Sequence, residues 1–485
     1  MKRQRLFFIG WADKDLGMIE VMTRIAKRHD ILYWSGEKAE LEEYGARFPG
    51  AVLHDHYEAL HGIPARGIDT ALFPPPDAAL IARLFECEST VLTMMNKRFE
   101  RMPTSERKHL YYSELGYWHG VLTMYRPDVI VFPCAPHTVY DYILYALAKD
   151  RSIRTIFFEL TAVGARSLCM NDFVIGALSL RSALAQSRGT TAREDELPSD
   201  IRRYYAWQTD RQRAHTPQYL EDQFRARRGL RSLGVRFRSV GKTLFSHKDP
   251  AALLKVLTHV PRRYMDNMRT EYARVARRPD LTRPFVFAPL GYQPERTTSP
   301  QGGVFVDQLL MVEMLAASVP AGWSILVKEH PAEWLHRGPD FFSYRYRGYY
   351  QQCASLRQVS VIPIDSDTEE LILRAAAVAA VTSTAGFEAI VRGKPALLFG
   401  YPWYQHAPGL LRVSDAKTAA AAFAKIASGF APSREDLLAY LDCFGRASFI
   451  GSCEPHGREL AGMSASENAA AVAEALETEL SREEL

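Results

Sequence analysis

The sequence predicts an α/β protein with two doubly wound, Rossmann-like domains that face a cleft and carry helical insertions. Short apolar segments alternate with helical patterns near the N-terminus, and the same alternation begins again near residue 285. This β-α-β order is typical of parallel sheets covered by helices. The length of 485 residues is enough for two or three domains.

The first half opens with an apolar run closed by Gly10, which predicts a buried parallel strand. A helical pattern follows to about Arg28, and the stretch 58–125 is also mostly helical in pattern. The strands of this half are expected at 6–9, 31–34, 129–132 and 155–158. We therefore expect an N-terminal Rossmann-like domain over residues 1–190.

The second half repeats the pattern. Its strands are expected at 285–288, 324–328, 359–363, 378–382 and 396–399, with helices between most of them. This predicts a C-terminal Rossmann-like domain over 281–430, followed by C-terminal helices over 431–485. The segment 191–280 is polar, arginine-rich and without strand patterns, which predicts a basic helical insertion or interdomain region. Ligands of doubly wound sheets bind beyond the carboxyl ends of the strands, so the cleft is the expected site.

Composition limits the classes of protein and the compartment. A hydrophobic content of 47% is ordinary for a globular chain, and a net charge of +4 does not indicate nucleic-acid binding. The six cysteines form no CxxC pair and fit no zinc spacing, so we expect reduced thiols. The first apolar run is shorter than a signal-peptide core, and none reaches the ~18 residues of a membrane span. A cytoplasmic protein is expected, with peripheral membrane contact left open.

The first informative motif runs from Thr382 to Glu388, after a strand of small apolar residues. Ser383 and Thr384 stand where a helix should begin, so their hydroxyls can cap the helix or bond an oxyanion. Free N–H groups and the positive end of the helix dipole favour an anion there. Gly386 would let a ligand approach closely. An ordinary N-cap explains the same residue types.

The second motif is Lys328-Glu329-His330-Pro331, which ends a predicted strand. Pro331 stops regular pairing and fixes the turn. His330 can donate to a phosphate oxygen, and Lys328 adds a point charge. A histidine at a strand end is also often structural, since histidine is intermediate in burial.

The third motif is the polar, glycine-rich loop 292–308 after the first strand of the second half. Such strand-to-helix loops carry function disproportionately. Glu295 and Asp307 are candidate reactive carboxylates, although helix starts favour acidic residues for electrostatic reasons alone. All three motifs follow strands of one predicted sheet, so they are expected to share its carboxyl edge.

Together these three motifs resemble those of the bacterial capsular-polysaccharide biosynthesis transferases, over about residues 285–405. That group includes the β-Kdo transferases, which move 3-deoxy-manno-octulosonic acid from CMP-Kdo. The resemblance implies the GT-B architecture of two Rossmann-like domains and a CMP-activated donor. It implies that His330, Ser383 and Thr384 hold the CMP phosphate, and that Glu388 binds the ribose or orders the helix. The other nucleotide-sugar-binding candidates are Lys328, Pro331 and Gly386.

The first half supplies candidates for the acceptor side. Glu159 follows a predicted strand and is the candidate general acid or base, although a buried, paired carboxylate is an equal interpretation. His137, one strand earlier, could bind the acceptor or the donor carboxylate. Retaining Kdo transferases use a carboxylate nucleophile, which by resemblance implies Asp307, or else Glu295, in a double displacement. The remaining substrate-binding candidates are Gln293 and Arg296.

Neither a metal nor a cofactor is expected beyond the CMP-sugar donor. The segments 365–367 and 13–15 both fit the DxD pattern that binds divalent metal in other transferases. However, a CMP leaving group carries one phosphate, which a histidine, a lysine and a helix end can neutralise. The basic segment 202–242 is expected to be a solvated helical surface or a contact to anionic lipid or a lipid-linked acceptor. No nucleic-acid-binding motif accompanies it.

The predicted function is transfer of Kdo or a related ulosonic acid from CMP onto a bacterial surface polysaccharide or lipid-linked glycan, with retention. The N-terminal domain would hold the acceptor. Two alternatives stay open. The first is a GT-B transferase that uses a UDP- or GDP-hexose, and the second is a non-catalytic component of capsule assembly that binds glycan or nucleotide.

Overall fold

The computed structural model describes six stretches of the chain: 3–99, 102–187, 191–210, 268–293, 296–333 and 345–482. Within them, two mainly parallel sheets are covered by helices on both faces. The six cysteines are free thiols. No helix among the described residues is long and apolar enough to cross a membrane.

The first sheet has seven strands. They are β1 (Arg5–Phe8), β2 (Asp30–Gly36), β3 (Val52–Asp55), β4 (Val129–Phe132), β5 (Arg154–Leu160), β6 (Arg166–Met170) and β13 (Phe449–Ile450). Their order is β3-β2-β1-β4-β5-β6-β13. The pairs from β3 to β5 are parallel, whereas β6 and β13 are antiparallel to their neighbours. Every residue of β4 is buried, as expected for a central strand covered on both faces.

Nine helices lie among the described residues of the first half. They are α1 (Met18–Ile25), α2 (Lys38–Tyr44), α3 (His56–Leu60), α4 (Ala78–Arg83), α5 (Phe85–Met94), α6 (Thr104–Tyr125), α7 (Tyr140–Asp150), α8 (Leu178–Gln186) and α9 (Ser199–Thr209). The helices α3 to α6 account for the predicted helical stretch between the third and fourth strands. The part of the basic segment beyond residue 210 lies outside the described residues.

The second sheet has six strands, all parallel. They are β7 (Phe285–Pro289), β8 (Ser324–Lys328), β9 (Val359–Val361), β10 (Ala377–Ala380), β11 (Ala396–Leu398) and β12 (Leu410–Arg412). Their order is β12-β11-β10-β7-β8-β9. Strands β8 and β9 are therefore added on one side of β7, whereas β10, β11 and β12 are added on its other side. Such a reversal places the ligand crevice beyond the carboxyl ends of β7 and β10.

The described helices of the second half are α10 (Met268–Val275), α11 (Gln308–Ser318), α12 (Tyr349–Ser355), α13 (Thr368–Arg374), α14 (Ala385–Val391), α15 (Ala416–Ala427), α16 (Arg434–Ala447), α17 (Pro455–Ala461) and α18 (Ala465–Leu480). A short 3-10 helix, Gly303–Val306, precedes α11. In the part of the first half that the structure describes there are five more 3-10 helices: Lys14–Leu16, Gly45–Arg47, Thr70–Leu72, Met95–Lys97 and Glu194–Glu196.

The C-terminal segment returns to the first domain. Strand β13 extends the first sheet, and α18 packs so closely against the start of α1 that a Cβ at Gly17 would lie 2.9 Å from Ala469 Cβ. Asn468 fixes this contact by donating to the carbonyls of Leu16 and Ser452, at 2.8 and 2.9 Å. Strand β13 and helix α18 are thus part of the first domain's packing, whereas α15 packs in the core of the second domain.

An aromatic cluster joins the two domains. Phe387 of α14 stacks on Tyr204 of α9, with ring centroids 6.2 Å apart, and its ring is 4.7 Å from that of Trp403. Tyr440 of α16 lies on the same ring at 6.2 Å. The predicted α/β class with two Rossmann-like domains is confirmed.

Candidate active site in the interdomain crevice

The loop after β7 lies at the centre of the candidate site. On one side, the Tyr292 ring is 5.9 Å from the His330 ring, which follows β8. On the other side, Thr382, which follows β10, donates its hydroxyl hydrogen to the Thr297 carbonyl. Because β8 and β10 both flank β7, their ends are separated by two strand spacings, or about 10 Å. The three motifs therefore share one sheet edge at the reversal of strand order.

His330 is held in one orientation. Its Nδ1 accepts the Ala332 N–H at 3.1 Å, and its own backbone N–H donates to Glu329 Oε1 at 2.7 Å. A neutral ring that accepts at Nδ1 carries its proton on Nε2. That tautomer can donate to a phosphate oxygen. Pro331 follows within the same turn, which is closed by the Glu333 N–H on the His330 carbonyl at 3.0 Å.

The predicted phosphate-binding charge of Lys328 has two partners within the protein. The ammonium group donates to the Ser366 carbonyl at 2.5 Å and to the Thr368 hydroxyl at 2.7 Å. Burial lowers the pKa of Lys328 to about 8, against the opposing effect of Asp367 and Asp365. The ammonium group of Lys328 thus contacts the segment that follows β9.

The hydroxyl motif at the start of α14 is engaged mainly within its own turn. Ser383 Oγ accepts the Ala385 N–H at 3.3 Å, and Thr384 Oγ1 donates to Glu388 Oε1 at 3.3 Å. Ser383 is half-buried and Thr384 is exposed. Thr384, which stands at the N-cap position, makes no capping hydrogen bond from its side chain. The Ser383 hydroxyl instead accepts an N–H of the first turn of α14.

Gly386 has a packing role that corrects the expectation of close ligand approach. A Cβ at this position would lie 2.6 Å from the Tyr404 hydroxyl and 3.2 Å from Ala380 Cβ. Protein atoms, and not open space for a ligand, therefore occupy the place where a side chain would stand. Glycine is needed because α14 lies directly against β10 and Tyr404.

Glu388 helps to order α14. Besides accepting from Thr384, it pairs with Arg392 one turn later, at 3.6 Å. Burial raises the pKa of Glu388, and Arg392 opposes that shift. Both contacts fit the helix-ordering interpretation of this residue, and a contact to ribose stays a prediction.

A charged cluster connects the two domains across the crevice. Glu159, at the end of β5 and only 3% exposed, accepts the Gln301 amide at 3.3 Å. Its Oε1 is 4.0 Å from Arg296 Nε, and Arg296 Nη2 donates to Glu454 Oε1 at 2.6 Å. Although burial opposes its charge, the carboxylates of Glu159 and Glu454 raise the pKa of Arg296. The cluster brings the predicted residues Glu159 and Arg296 together, and Glu159 is both buried and paired.

His137 lies in the loop after β4, beside this cluster. Its Nδ1 donates to the Ala135 carbonyl at 2.9 Å, and its backbone N–H donates to Asp141 at 3.2 Å. Burial lowers the pKa of His137, whereas Asp141 raises it and Arg296 lowers it further. His137 therefore shares the electrostatic environment of Arg296.

The remaining candidates lie elsewhere around the loop after β7. Gln293 Oε1 accepts from Arg345 Nη1 at 2.8 Å, so its side chain is held inside the second domain. Asp307 is exposed and caps α11, accepting the Leu309 N–H at 3.1 Å. This contact fits the alternative interpretation of Asp307, in which it is an acidic residue at a helix start and not a nucleophile. Glu295 lies outside the described residues, and its role stays a prediction.

Sequence reasoning missed Arg345. It forms a two-point ion pair with Glu329, and its Nη2 also donates to the Gly291 carbonyl at 3.1 Å. Tyr350 donates to the same Glu329 carboxylate at 2.6 Å. The network joins the loops after β7 and β8. Glu329 stood inside a recognised motif, but no local pattern marks a distant arginine as its partner.

One aspartate of each DxD segment makes a capping contact. Asp367 accepts the N–H groups of Glu369 and Glu370 at 2.8 and 3.3 Å, and Asp13 accepts the Leu16 N–H at 3.1 Å. Among the residues that the structure describes, no group of three or more potential ligands could hold a metal ion.

The two Rossmann-like domains, with their carboxyl edges joined across a crevice, define the GT-B architecture. Residues 295–427 match the family described as capsule polysaccharide biosynthesis protein. The match includes the His330 motif and the Ser383–Thr384 motif. The resemblance predicted from those motifs is confirmed for this segment.

A 71-residue segment also matches curated relatives. It is 37% identical to the capsule polysaccharide modification protein LipA of Neisseria meningitidis serogroup B and 35% identical to LipA of serogroup A. The match covers 15% of this chain and 10% of each relative. The chain thus corresponds to about a tenth of the length of these relatives.

Two similar solved structures are of KpsC from Thermosulfurimonas dismutans. The beta Kdo 2,7 transferase is 13% identical, with a TM-score of 0.31, over 74% of this chain and 88% of that chain. The beta Kdo 2,4 transferase is 16% identical, with a TM-score of 0.28, over 67% of this chain and 80% of that chain.

Proposed function

We propose that this chain is a glycosyltransferase of capsule polysaccharide biosynthesis, and that it transfers Kdo or a related ulosonic acid from a CMP donor. The acceptor is a bacterial surface polysaccharide or a lipid-linked glycan. The family match over residues 295–427 supports the general role. The CMP donor is proposed from the motifs and from their place at the sheet edge.

The observation that carries the proposal is the position of His330 and the Ser383–Thr384 turn on either side of the β7 loop. A phosphate placed between them would accept one hydrogen bond from His330 Nε2–H and another from a hydroxyl of the Ser383–Thr384 turn. Charge-assisted hydrogen bonds of this kind are about twice as strong as neutral ones. One phosphate needs few such donors, so the proposed reaction requires neither a metal nor a cofactor.

The first domain supplies the acceptor side of the proposed reaction. A carboxylate nucleophile, Asp307 or Glu295, attacks the anomeric carbon and CMP leaves. The acceptor hydroxyl then attacks the glycosyl-enzyme, and Glu159 takes its proton. Two displacements retain the configuration of the sugar. His137 and Arg296, beside Glu159, contact the substrates.

The place of action belongs to the same proposal. The enzyme would work in the cytoplasm, where CMP-sugars are available, and close to the inner membrane if its acceptor is lipid-linked. The basic segment 202–242 would then contact anionic lipid. Sedimentation with vesicles that contain phosphatidylglycerol, compared with neutral vesicles, measures that contact.

A donor screen tests the proposal. We expect CMP release from CMP-Kdo or a related CMP-sugar when a glycan acceptor is present, and none from UDP- or GDP-hexoses. Turnover of UDP- or GDP-sugars alone would contradict the CMP assignment. CMP binding without any turnover would instead indicate a binding component of capsule assembly.

A variant pair connects the screen to the site. Calorimetric titration should show that His330→Ala binds CMP more weakly, because the substitution removes the Nε2–H group that donates to the phosphate. His109→Ala, an exposed histidine on α6, is the matched control and should bind CMP like the wild type. An unchanged dissociation constant for His330→Ala would contradict the assignment.

A further inference from the structure

We propose that Glu454 is a positioning residue for the transfer reaction: it draws the Arg296 guanidinium away from Glu159 and so keeps Glu159 basic. The inference rests on the proposed function, in which Glu159 takes the proton of the acceptor. It assigns a role in the crevice to a residue of the C-terminal segment.

The distances show which carboxylate Arg296 favours. Arg296 Nη2 is 2.6 Å from Glu454 Oε1, a short charge-assisted hydrogen bond. Its Nε is 4.0 Å from Glu159 Oε1, which is beyond hydrogen-bond range. Within the described part of the chain, that buried Nε has no hydrogen-bond partner. The guanidinium is therefore bonded to Glu454 and only close to Glu159.

Glu454 is fixed by the way the C-terminal segment crosses the first domain. Its backbone N–H donates to Ser452 Oγ at 2.9 Å, and the Ser452 N–H donates to Asn468 of α18 at 2.9 Å. Helix α17 follows at once, and a Cβ at Gly457 would lie 2.9 Å from Leu160 at the end of β5. The segment thus holds Glu454 over the same strand that carries Glu159.

The position of α17 is fixed at its other side as well. Arg458 Nη1 donates to the Asp15 carbonyl, in the loop after β1, at 2.5 Å. Helix α17 is therefore bonded to the 3-10 helix Lys14–Leu16 on one side and packs against the end of β5 on the other. These contacts place Glu454, which directly precedes α17, beside Arg296.

Electrostatics gives the consequence. One guanidinium charge lies between two carboxylates, and an opposite charge stabilises the ionised form of whichever carboxylate it approaches. If Glu454 loses its charge, Arg296 is released toward Glu159, and one negative charge near Glu159 disappears. Both changes lower the pKa of Glu159. A carboxylate with a lower pKa is a weaker general base.

Among the described residues, other charged or titratable groups near this cluster belong to four parts of the chain. The loop after β4 contributes Cys134 and His137, α7 contributes Asp141, and the 3-10 helix before α6 contributes Lys97. Cys453, which precedes Glu454 in the chain, also interacts with Glu454 and Cys134. Gln301 is the neutral donor to Glu159. The Glu454 charge also acts on Cys134, but burial is the main cause that raises the pKa of that thiol to about 12, far above the acidic limb. A change in the acidic limb therefore reports on the contacts of Arg296.

The test compares Glu454→Gln with Glu459→Gln in the full-length protein. Both variants remove one carboxylate from α17 or its start, but Glu459 is exposed and lies outside the Arg296 cluster. For Glu454→Gln we expect kcat to fall on the order of tenfold, and the acidic limb of the kcat profile to move to lower pH. CMP affinity should be unchanged, because the proposed CMP contacts lie in the second domain.

Glu454→Asp serves as the conservative variant. It keeps the charge, so its acidic limb should stay close to that of the wild type even if the shorter side chain lowers kcat. Equal profiles for Glu454→Gln, Glu459→Gln and the wild type would overturn the inference. Absence of CMP-sugar turnover in the wild type would end both this inference and the proposed function, whereas wild-type turnover with an unaltered Glu454→Gln ends this inference alone.

Discussion

Arg345 and Glu329 form a two-point ion pair, with Nε–Oε2 at 2.9 Å and Nη2–Oε1 at 3.1 Å, and both side chains are almost fully buried. The same arginine holds the Gly291 carbonyl, and the same carboxylate holds the His330 N–H. One buried pair therefore fixes the loops on which the donor-binding proposal depends.

Removal of one partner of this pair should be costly. We expect Arg345→Met to lower the free energy of unfolding by about 3–5 kcal/mol, because Glu329 would remain buried without its counter-charge. Urea unfolding measures the change. Arg374→Met is the matched control, since Arg374 pairs with Glu370 at 2.9 Å on the exposed face of α13. That control should cost about 0–1 kcal/mol, and similar losses for both variants would contradict the assignment.

The packing role of Gly386 predicts a stability effect. Gly386→Ala should lower the free energy of unfolding by about 1–3 kcal/mol through overpacking against Tyr404. The double variant with Tyr404→Phe should lose less than the sum of the single changes, because the clashing hydroxyl is absent. Gly50→Ala, where an added Cβ meets nothing within 4 Å, is the control.

Ligand approach would give a different result at this glycine. A Gly386→Ala protein of wild-type stability that had lost CMP affinity would show that the space beside Gly386 serves the ligand after all. Thermal unfolding and CMP titration on the same sample separate the two results.

Lys328 predicts a pH dependence of stability. Its pKa falls from 10.5 to about 8 on folding, mainly through burial. Between those values the unfolded chain binds more protons than the folded one, so this group's contribution to stability rises with pH. Below about pH 8 its destabilising effect is present in full. Wild-type stability relative to Lys328→Met should therefore increase as the pH is raised from 8 toward 10.5, and a constant difference would contradict the burial of this charge.

The absence of a metal requirement is also open to test. Turnover of the CMP-sugar should be the same in excess EDTA as in Mg²⁺, because Asp367 and Asp13 already accept backbone N–H groups. Loss of activity in EDTA that Mg²⁺ restores would show that the proposed neutralisation by His330 and the helix start is insufficient.

The central parallel strands could be predicted from the sequence, whereas three of the four edge strands could not; the exception is β9, expected at 359–363. A buried run such as Val129–Phe132 has apolar side chains on both faces and is recognisable by composition. The missed strands β3, β6, β12 and β13 lie toward the edges of their sheets, and β13 has only two residues. Short edge strands carry no periodic pattern, because tertiary pairing and not local sequence decides them.

The candidate site likewise has a part that could be predicted from the sequence and a part that could not. Motifs directly after strands could be placed at one sheet edge from chain order alone, as for His330 and Thr384. The partners of those motifs could not, because Arg296 and Glu454 are 158 residues apart. The sequence pattern around Asp307 also could not distinguish a residue that faces a substrate from one that caps a helix. Such contacts depend on how the C-terminal segment returns to the first domain.

A crystal structure with CMP bound is the most direct test of the central claim. We expect a phosphate in the crevice, with one oxygen within about 3 Å of His330 Nε2 and another within about 3 Å of the Ser383 or Thr384 hydroxyl. CMP bound elsewhere, or with its phosphate in contact with neither motif, would contradict the proposed donor site.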